Sequence, residues 1–338
     1  MSVLEVVDLH IRYGTGAGEA RAVDGVSFSI EAGEYLGLVG ESGCGKSTIA
    51  KAVLGILPPN GRVAAGEIRF QGRDIVRLPP AEFRQMRWRD IALVPQSAMN
   101  GFDPVYTVEQ QIEEAIVAHV SWPAAERRKR IEELFAMVGL ERQRLSDYPH
   151  QFSGGMRQRA MIAMAMVLDP TLVVADEPTT GLDVIVQDQI LQRIKAIQEQ
   201  LQKTMLLITH DMAVVAENCD KIAVMYAGRV VEYGGKEVFR TPHHPYTLGL
   251  CNAFPDLDDR ERELISIPGA PPSLVDPPRG CRFAPRCPFA TPHCSDVDPP
   301  LVEVAPGHSA ACHYLDRAAE FRRMSEDPEI WRRAGEAA

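Results

Sequence analysis

At 338 residues the chain is long enough to bury a full core and to hold one large domain with an appendage. Its formal charge of −10, from 46 acidic against 36 basic residues, argues against nucleic acid as the main partner, because a phosphate backbone selects a basic face. With 45% hydrophobic and 24% charged residues the composition is that of an ordinary soluble protein. Its longest uninterrupted apolar run, Ala160 to Leu168, has nine residues. A bilayer span needs about 20, and no charged segment followed by an apolar core opens the chain.

Three short stretches rich in Val and Ile, Leu4 to Ile11, Ala22 to Ile30 and Gly66 to Phe70, predict strands of a mixed sheet. Tyr13 lies between the first two, beside the flexible run Gly14 to Gly18. An exposed tyrosine there could stack on a purine or simply pack on the domain surface. The apolar run Tyr35 to Val39 predicts a buried strand. Ile49, Ala50, Ala52, Val53, Leu54 and Ile56 then supply one face of a helix that Pro58 and Pro59 stop. Between strand and helix lies Gly40 Glu41 Ser42 Gly43 Cys44 Gly45 Lys46 Ser47 Thr48, which fits G-x-x-x-x-G-K-[ST] at the strand–helix junction that this pattern requires. The glycines let successive backbone N–H groups turn inward around phosphate oxygens, and the new helix adds its positive end. Lys46 is placed to neutralise the terminal phosphates and the Ser47 hydroxyl to ligate magnesium. Cys44 is a small residue tolerated where backbone does the binding.

Ile91 to Val94 reads as a short strand ending at Pro95 and Gln96, and Ser97 to Asp103 as a loop. From Thr107 to about Leu140 the apolar spacing is helical, with Val108, Ile112, Ile116 and Val120 on one segment and Ile131, Leu134, Phe135 and Val138 on the next. This block interrupts the strand–helix alternation, so it reads as an insertion, with Arg127 to Arg130 on its solvated side. It leads to Ser153 Gly154 Gly155, where the serine is placed as a helix N-cap. The exposed N–H groups and hydroxyl there form a second anion site without its own lysine, suited to complete a pocket supplied elsewhere.

The strand Leu172 to Ala175 ends in Asp176 and Glu177. Side chains at the carboxyl ends of strands in an open sheet point to the ligand crevice, and two adjacent carboxylates there are costly unless they work. Asp176 would hold magnesium and Glu177 would polarise the attacking water. Asp183 follows in Thr180 Gly181 Leu182 Asp183. The strand Met205 to Ile208 ends in Thr209 His210 Asp211. A histidine after a strand is weak evidence alone, and its match to the strand ends at Gly40 and Asp176 is what raises it.

In order and spacing these stretches resemble the ATP-binding subunits of ABC transporters over roughly residues 3 to 240. Tyr13 matches the adenine-stacking position, Gly40 to Thr48 the phosphate loop, and Gln96 the glutamine that serves magnesium and catalysis. Ser153, Gly154 and Gly155 match the signature, Asp176 and Glu177 the carboxylate pair, Asp183 the loop after it, and His210 the switch histidine. Met156 stands where the family usually has Gln, so that side-chain contact does not carry over. The resemblance implies an α/β P-loop NTPase core of ABC type: a mostly parallel sheet flanked by helices, an N-terminal antiparallel β subdomain, and a helical subdomain at about 97–165. It implies ATP and Mg2+, a site closed by a second homologous ATPase subunit, expected to be a paralogue, and no nucleic acid. Further implied partners are two integral membrane permease subunits and an extracytoplasmic substrate-binding protein, with this chain at the cytoplasmic face of a prokaryotic inner membrane. A non-transport ABC ATPase of DNA repair or translation is the competing reading. Such chains usually carry two cassettes or a long coiled coil, and this sequence has neither.

From Thr241 onward the pattern changes. The stretch 241–306 holds 14 of the 25 prolines, which argues against a long helix or a regular sheet there. Four of the seven cysteines, Cys281, Cys287, Cys294 and Cys312, lie in this last part with spacing C-x5-C-x6-C-x17-C, looser than structural zinc pairs. Four thiolates also suit an iron–sulfur cluster, and Cys287 Pro288 fits the Cys-Pro of many cluster motifs. Thr241 to Thr247, Ile267 Pro268 Gly269 and these cysteines resemble the C-terminal extension of the oligopeptide and dipeptide importer ATPases, which implies a [4Fe–4S] cluster, with Zn2+ or unliganded thiols as alternatives. The expected division is an ATPase domain over 1–240 and an extension over 241–338. Peptides are the expected cargo, with nickel chelates or oligosaccharides as the other substrates of this subfamily.

Overall fold

The computed structural model describes residues 2–96, 101–253 and 265–336. In chain order it opens with β1 (Ser2–Thr15), β2 (Gly18–Glu31), β3 (Tyr35–Val39), helix α1 (Lys46–Val53), β4 (Gly61–Phe70) and β5 (Arg73–Asp74). There follow α2 (Pro80–Met86), β6 (Ile91–Val94), α3 (Val108–Val117), α4 (Ala124–Met137), α5 (Gly154–Ala165), β7 (Leu172–Asp176) and α6 (Val184–Leu201). The core continues through β8 (Thr204–Thr209), α7 (Met212–Asn218), β9 (Lys221–Tyr226) and β10 (Arg229–Gly234). The last part carries α8 (Glu237–Arg240), α9 (Pro245–Asn252), α10 (Pro292–Asp296), β11 (Val302–Ala305), β12 (His308–Ala310), α11 (Ala318–Met324) and α12 (Pro328–Glu336).

Two sheets organise these elements. β2-β1-β4-β5 is antiparallel, and an eight-stranded sheet runs β11-β12-β10-β9-β3-β8-β7-β6. Within the second sheet, β9, β3, β8, β7 and β6 are mutually parallel, while β10, β12 and β11 add antiparallel pairs at one edge. The parallel strands are apolar throughout because both faces are covered, which is why Leu36, Val174 and Leu206 have no exposure. Three of these strands, β3, β7 and β8, end side by side at Val39, Asp176 and Thr209.

Four sequence expectations change in detail. Tyr13 lies inside β1 and not in a loop, because hairpin pairing continues to Thr15↔Gly18 across a two-residue turn. Helix α1 stops at Val53 and leaves Ile56 exposed. Gly55 ends it at φ +60°, with the Gly55 N–H on the Ala52 carbonyl and the Ile56 N–H on Lys51, a Schellman cap that acts before Pro58 is reached. The proline-rich part does form sheet, as the short hairpin β11/β12, whose Ala310 and Ser309 pair with Glu232 and Tyr233 of β10. The basic run on α4 is only partly solvated: Arg127 binds Glu113 and the Trp122 carbonyl, and Arg130 donates to the carbonyls of Met166 and Val167 at the end of α5. The expected helical block itself is present from Val108 on, and its start at 97–100 lies outside the described residues. Thr107 and Gln110 form a capping box on α3, and Val108, Ile112, Ile116, Ile131, Leu134, Phe135 and Val138 are all buried. Among the described residues no helix is long and apolar enough to cross a membrane.

The extension is tied to the first sheet through Asp24, which is buried on β2 and pairs with Arg282 as well as with Arg12 Nη2 (2.7 Å) and His10 Nδ1 (3.0 Å). Burial would raise this carboxyl, but the hydrogen bonds from Arg12 and His10 and the charge of Arg282 outweigh it and bring it from 3.8 down to about 2. A folded-state value below the unfolded one stabilises the fold above pH 4 by about 2 kcal/mol, a contribution lost as pH falls through 2. Urea midpoints of wild type and Asp24→Asn should therefore differ most above pH 4 and draw together toward pH 2. A gap independent of pH would contradict this account.

Candidate active site

The stretch Gly40 to Thr48 folds as expected from a pattern in which backbone must approach a ligand closely. Gly45 precedes α1 at φ +109°, and a Cβ there would lie 2.3 Å from the Ala22 carbonyl oxygen, so only glycine fits. The N–H groups of Lys46, Ser47 and Thr48 open α1 with no intrahelical acceptor, at the positive end of the helix. Lys46 is buried and its Nζ donates to the carbonyls of Gly40 (2.7 Å) and Glu41 (2.9 Å). Glu41 itself directs its N–H to the Tyr246 hydroxyl (2.9 Å), so this N–H is not part of the cradle that the sequence suggested.

Oxygen ligands for a hard cation meet beside the loop. The Ser47 hydroxyl donates to Asp176 Oδ1 across 2.9 Å, bringing together residues 129 positions apart. Burial pushes the Asp176 carboxyl above its ordinary value, the Ser47 hydrogen bond opposes this, and the Glu177 charge adds to it. Such a carboxylate gains from a divalent cation, and a hydroxyl beside a carboxylate is the donor set that suits Mg2+. Glu177 has φ +47°, an uncommon value that turns its side chain away from the strand, while its N–H remains on the Ile208 carbonyl of β8. Its Oε2 accepts from Gln96 Nε2 (3.0 Å) and from the Thr180 hydroxyl (2.9 Å), and its Oε1 lies 3.6 Å from His210 Nδ1. Gln96 thus stands with the Glu177 carboxylate and not with Ser47. Thr180 is an addition to the expected set, whose signal was a hydroxyl three residues after Glu177.

The signature begins a helix. Ser153 is exposed and N-caps α5, its hydroxyl accepting the Met156 N–H at 3.3 Å. Gly154 and Gly155 pack against Leu182 and Val186, and Asp183 caps α6 by accepting the Val186 N–H at 3.0 Å. At the N-terminus of α5, therefore, Ser153 is exposed, while the Met156 N–H is held by its hydroxyl and Gly155 is buried. Tyr13 is half-buried, its ring against Gly61.

In the extension, Cys281, Cys287, Cys294 and Cys312 line one small apolar pocket with Phe283, Phe289 and His244. Burial pushes the Cys281 thiol up to about 12 and Cys312 to about 11, and raises Cys287 further, so in the bare pocket these are neutral thiols. They do not form a compact ligand set. Among the described residues the one group of three or more His, Cys, Asp or Glu ligand atoms within 4.8 Å of one another contains no cysteine. A tetrahedral ion with bonds of about 2.3 Å holds its sulfurs about 3.8 Å apart, so the thiols as placed do not fit zinc, and the expected cluster gains no support from their arrangement. The group that does converge is Glu232, His243 and His308. Glu232 is fully buried, accepts the N–H groups of His243 and His244 (2.8 and 3.0 Å) and lies 2.8 Å from His308 Nε2. These bonds occupy its carboxylate, so it serves as the tie between β10, the His243 His244 stretch and β12.

Comparison with known proteins identifies the family. A family model described as ABC transporter matches residues 23–180, and one described as oligopeptide/dipeptide transporter, C-terminal region, matches 231–294. The chain is 44% identical over 329 residues to the dipeptide transport ATP-binding protein DppD of Bacillus subtilis (strain 168), covering 96% of this chain and 98% of that one. It is 45% identical over 314 residues to the oligopeptide transport ATP-binding protein OppD of Escherichia coli (strain K12), covering 92% and 93%. Among solved structures it is similar to the ATP-binding cassette MJ0796, a dimer in a post-hydrolysis state with ADP and Pi, at TM-score 0.62 and 27% identity, over 69% of this chain and 98% of that one.

Proposed function

This chain belongs to the ABC transporter ATP-binding subunits, in their oligopeptide and dipeptide importer branch, and from that premise we propose how its residues turn ATP hydrolysis into peptide uptake. The observation that carries the proposal is the meeting of three strand ends, where the phosphate loop, the Ser47–Asp176 pair and the Gln96–Glu177–His210 group share one crevice. The backbone from Ser42 to Thr48 and the Lys46 amine bind the phosphates. Ser47 and Asp176 hold Mg2+, which when bound screens the charge of the β- and γ-phosphates. Glu177, oriented by Gln96 and Thr180, takes the proton of the attacking water, and His210 stands within reach of the same carboxylate. Tyr13 offers its ring to the adenine.

Ser153, Gly154 and Gly155 close the site of a second ATPase subunit, most simply a paralogue, whose own signature closes this one. The MJ0796 cassette, solved as a dimer with ADP and Pi, supports that arrangement. Gln96 and the helical subdomain pass the motion to two permease subunits at the cytoplasmic face of the membrane, with an extracytoplasmic binding protein delivering peptide. The names of the relatives support the peptide cargo. Reconstituted in proteoliposomes with its permease subunits, ATPase partner and binding protein, the chain should drive ATP-dependent uptake of di- or oligopeptides. Uptake of nickel chelates or oligosaccharides instead would overturn the cargo assignment. Recovery of the chain in a soluble complex with ribosomes or DNA would overturn the transport reading.

The four thiols enter the proposal as ligands of a [4Fe–4S] cluster on the support of the family resemblance alone. Neutral buried thiols become ligands only when a cation compensates their deprotonation. Iron and acid-labile sulfide, measured on anaerobically purified protein, should each approach about four per chain. Stoichiometric zinc without iron ends the cluster reading.

A further inference from the structure

Glu41 lies inside the phosphate loop, and each of its polar groups is held. Its carbonyl takes the Lys46 amine, its N–H goes to the Tyr246 hydroxyl, and its carboxylate receives both arms of the Arg286 guanidinium at 2.8 and 3.1 Å. Two of these three anchors come from residues beyond 240. Arg286 is itself fixed without slack. Nε donates to the Pro268 carbonyl, Nη1 to Glu41 and the Tyr226 hydroxyl, and Nη2 to Glu41 and the Ile267 carbonyl, so all five donors have acceptors. Its side chain is 5% exposed. Tyr226, Tyr246 and Phe283 form a ring cluster with centroids 4.6 to 5.4 Å apart around the same point. Phe283 and Arg286 belong to the segment between Cys281 and Cys287.

We propose that Arg286 and Tyr246 are positioning residues for ATP binding, through which the C-terminal extension holds Glu41 and with it the phosphate loop in the form that receives the triphosphate. This inference rests on the ATP site assigned above. A bidentate ion pair whose guanidinium is buried has the geometric specificity to fix a loop where a solvated pair would not. The residue next to Cys287 thereby reaches the phosphates through one side chain, and the order of the cysteine segment sets nucleotide affinity. Neither residue touches the reacting atoms, so their loss should weaken binding and spare the chemical step.

The test is a titration of the full chain with a fluorescent ATP analogue for wild type, Glu41→Gln, Arg286→Gln and the double variant. KM and kcat for ATP are measured in the assembled transporter alongside. Each single change should raise Kd about tenfold, and the double variant should be no worse than the poorer single, because both remove one contact. KM should rise with Kd while kcat stays near wild type, and Arg286→Lys, which restores charge without the fork, should recover part of the loss. If Arg286→Gln fails to fold, Tyr246→Phe carries the test, since it keeps the ring and removes only the hydroxyl that receives the Glu41 N–H. A severalfold rise in Kd supports the inference, and wild-type affinity overturns it. Additive single effects, or a fall in kcat at unchanged KM, also overturn it while leaving the ATP site standing. Failure of the wild-type chain to bind the analogue would sink both.

Discussion

Replacing Glu177 by glutamine should leave ATP binding at wild-type affinity and lower turnover of the assembled transporter about 10³-fold, the size expected when a general base is removed. The substitution is nearly isosteric. Its amide oxygen can still accept from Gln96 and Thr180, as the carboxylate Oε2 does now at 3.0 and 2.9 Å, so the crevice keeps its shape. The Ser47–Asp176 pair and the phosphate loop do not depend on Glu177 for a hydrogen bond, so nucleotide and metal should bind as before. What disappears is the basic oxygen. A nucleotide titration paired with ATPase assays in proteoliposomes separates the two effects, and full turnover in Glu177→Gln would remove Glu177 from the catalytic role.

The second large effect is expected at Ser153, where aspartate is the informative replacement. Aspartate caps a helix as well as serine does, so α5 should keep its start, and the melting temperature of the isolated chain should stay close to wild type. ATP affinity of the isolated chain should also be unchanged, because the Ser153 hydroxyl is spent on the Met156 N–H of α5 and, in the proposed arrangement, serves the partner's site. In the assembled transporter, however, the new carboxylate would face the γ-phosphate held by the other ATPase subunit. Repulsion there should lower turnover of that composite site by about 10²-fold or more. A Ser153→Asp chain that supports normal transport would show that the site is not completed in trans. A chain that loses its own ATP affinity would place the signature in the same site as Lys46.

Much of the proposed catalytic crevice is legible in the sequence because such chemistry is local. A backbone that wraps phosphate needs glycine at set places between a strand and a helix, and each further group sits at the end of an apolar run of strand length. That parallel β3, β7 and β8 end together follows once those runs are buried on both faces. The helical block is legible for the same reason, since its period is written in Val108, Ile112 and Ile116. Sequence reasoning errs where one residue or one partner decides. Gly55 ends α1 before the prolines, Tyr13 is drawn into a strand by hairpin pairing, and the hairpin β11/β12 exists because the edge of β10 accepts it.

The sequence by itself thus determined the residues of the proposed nucleotide site: Gly40 to Thr48, Asp176 with Glu177, His210 and the serine of the signature, each picked out by a short spacing that such chemistry demands. Only the tertiary structure decided how the last third of the chain serves that chemistry. Arg286 meets Glu41 across 245 positions and Arg282 meets Asp24 across 258, and no local pattern links residues so far apart. An arginine in a proline-rich segment could pair with any carboxylate of the surface. What chooses Glu41 is a guanidinium buried with all five donors satisfied, because a buried charge keeps only the partner that answers its full geometry.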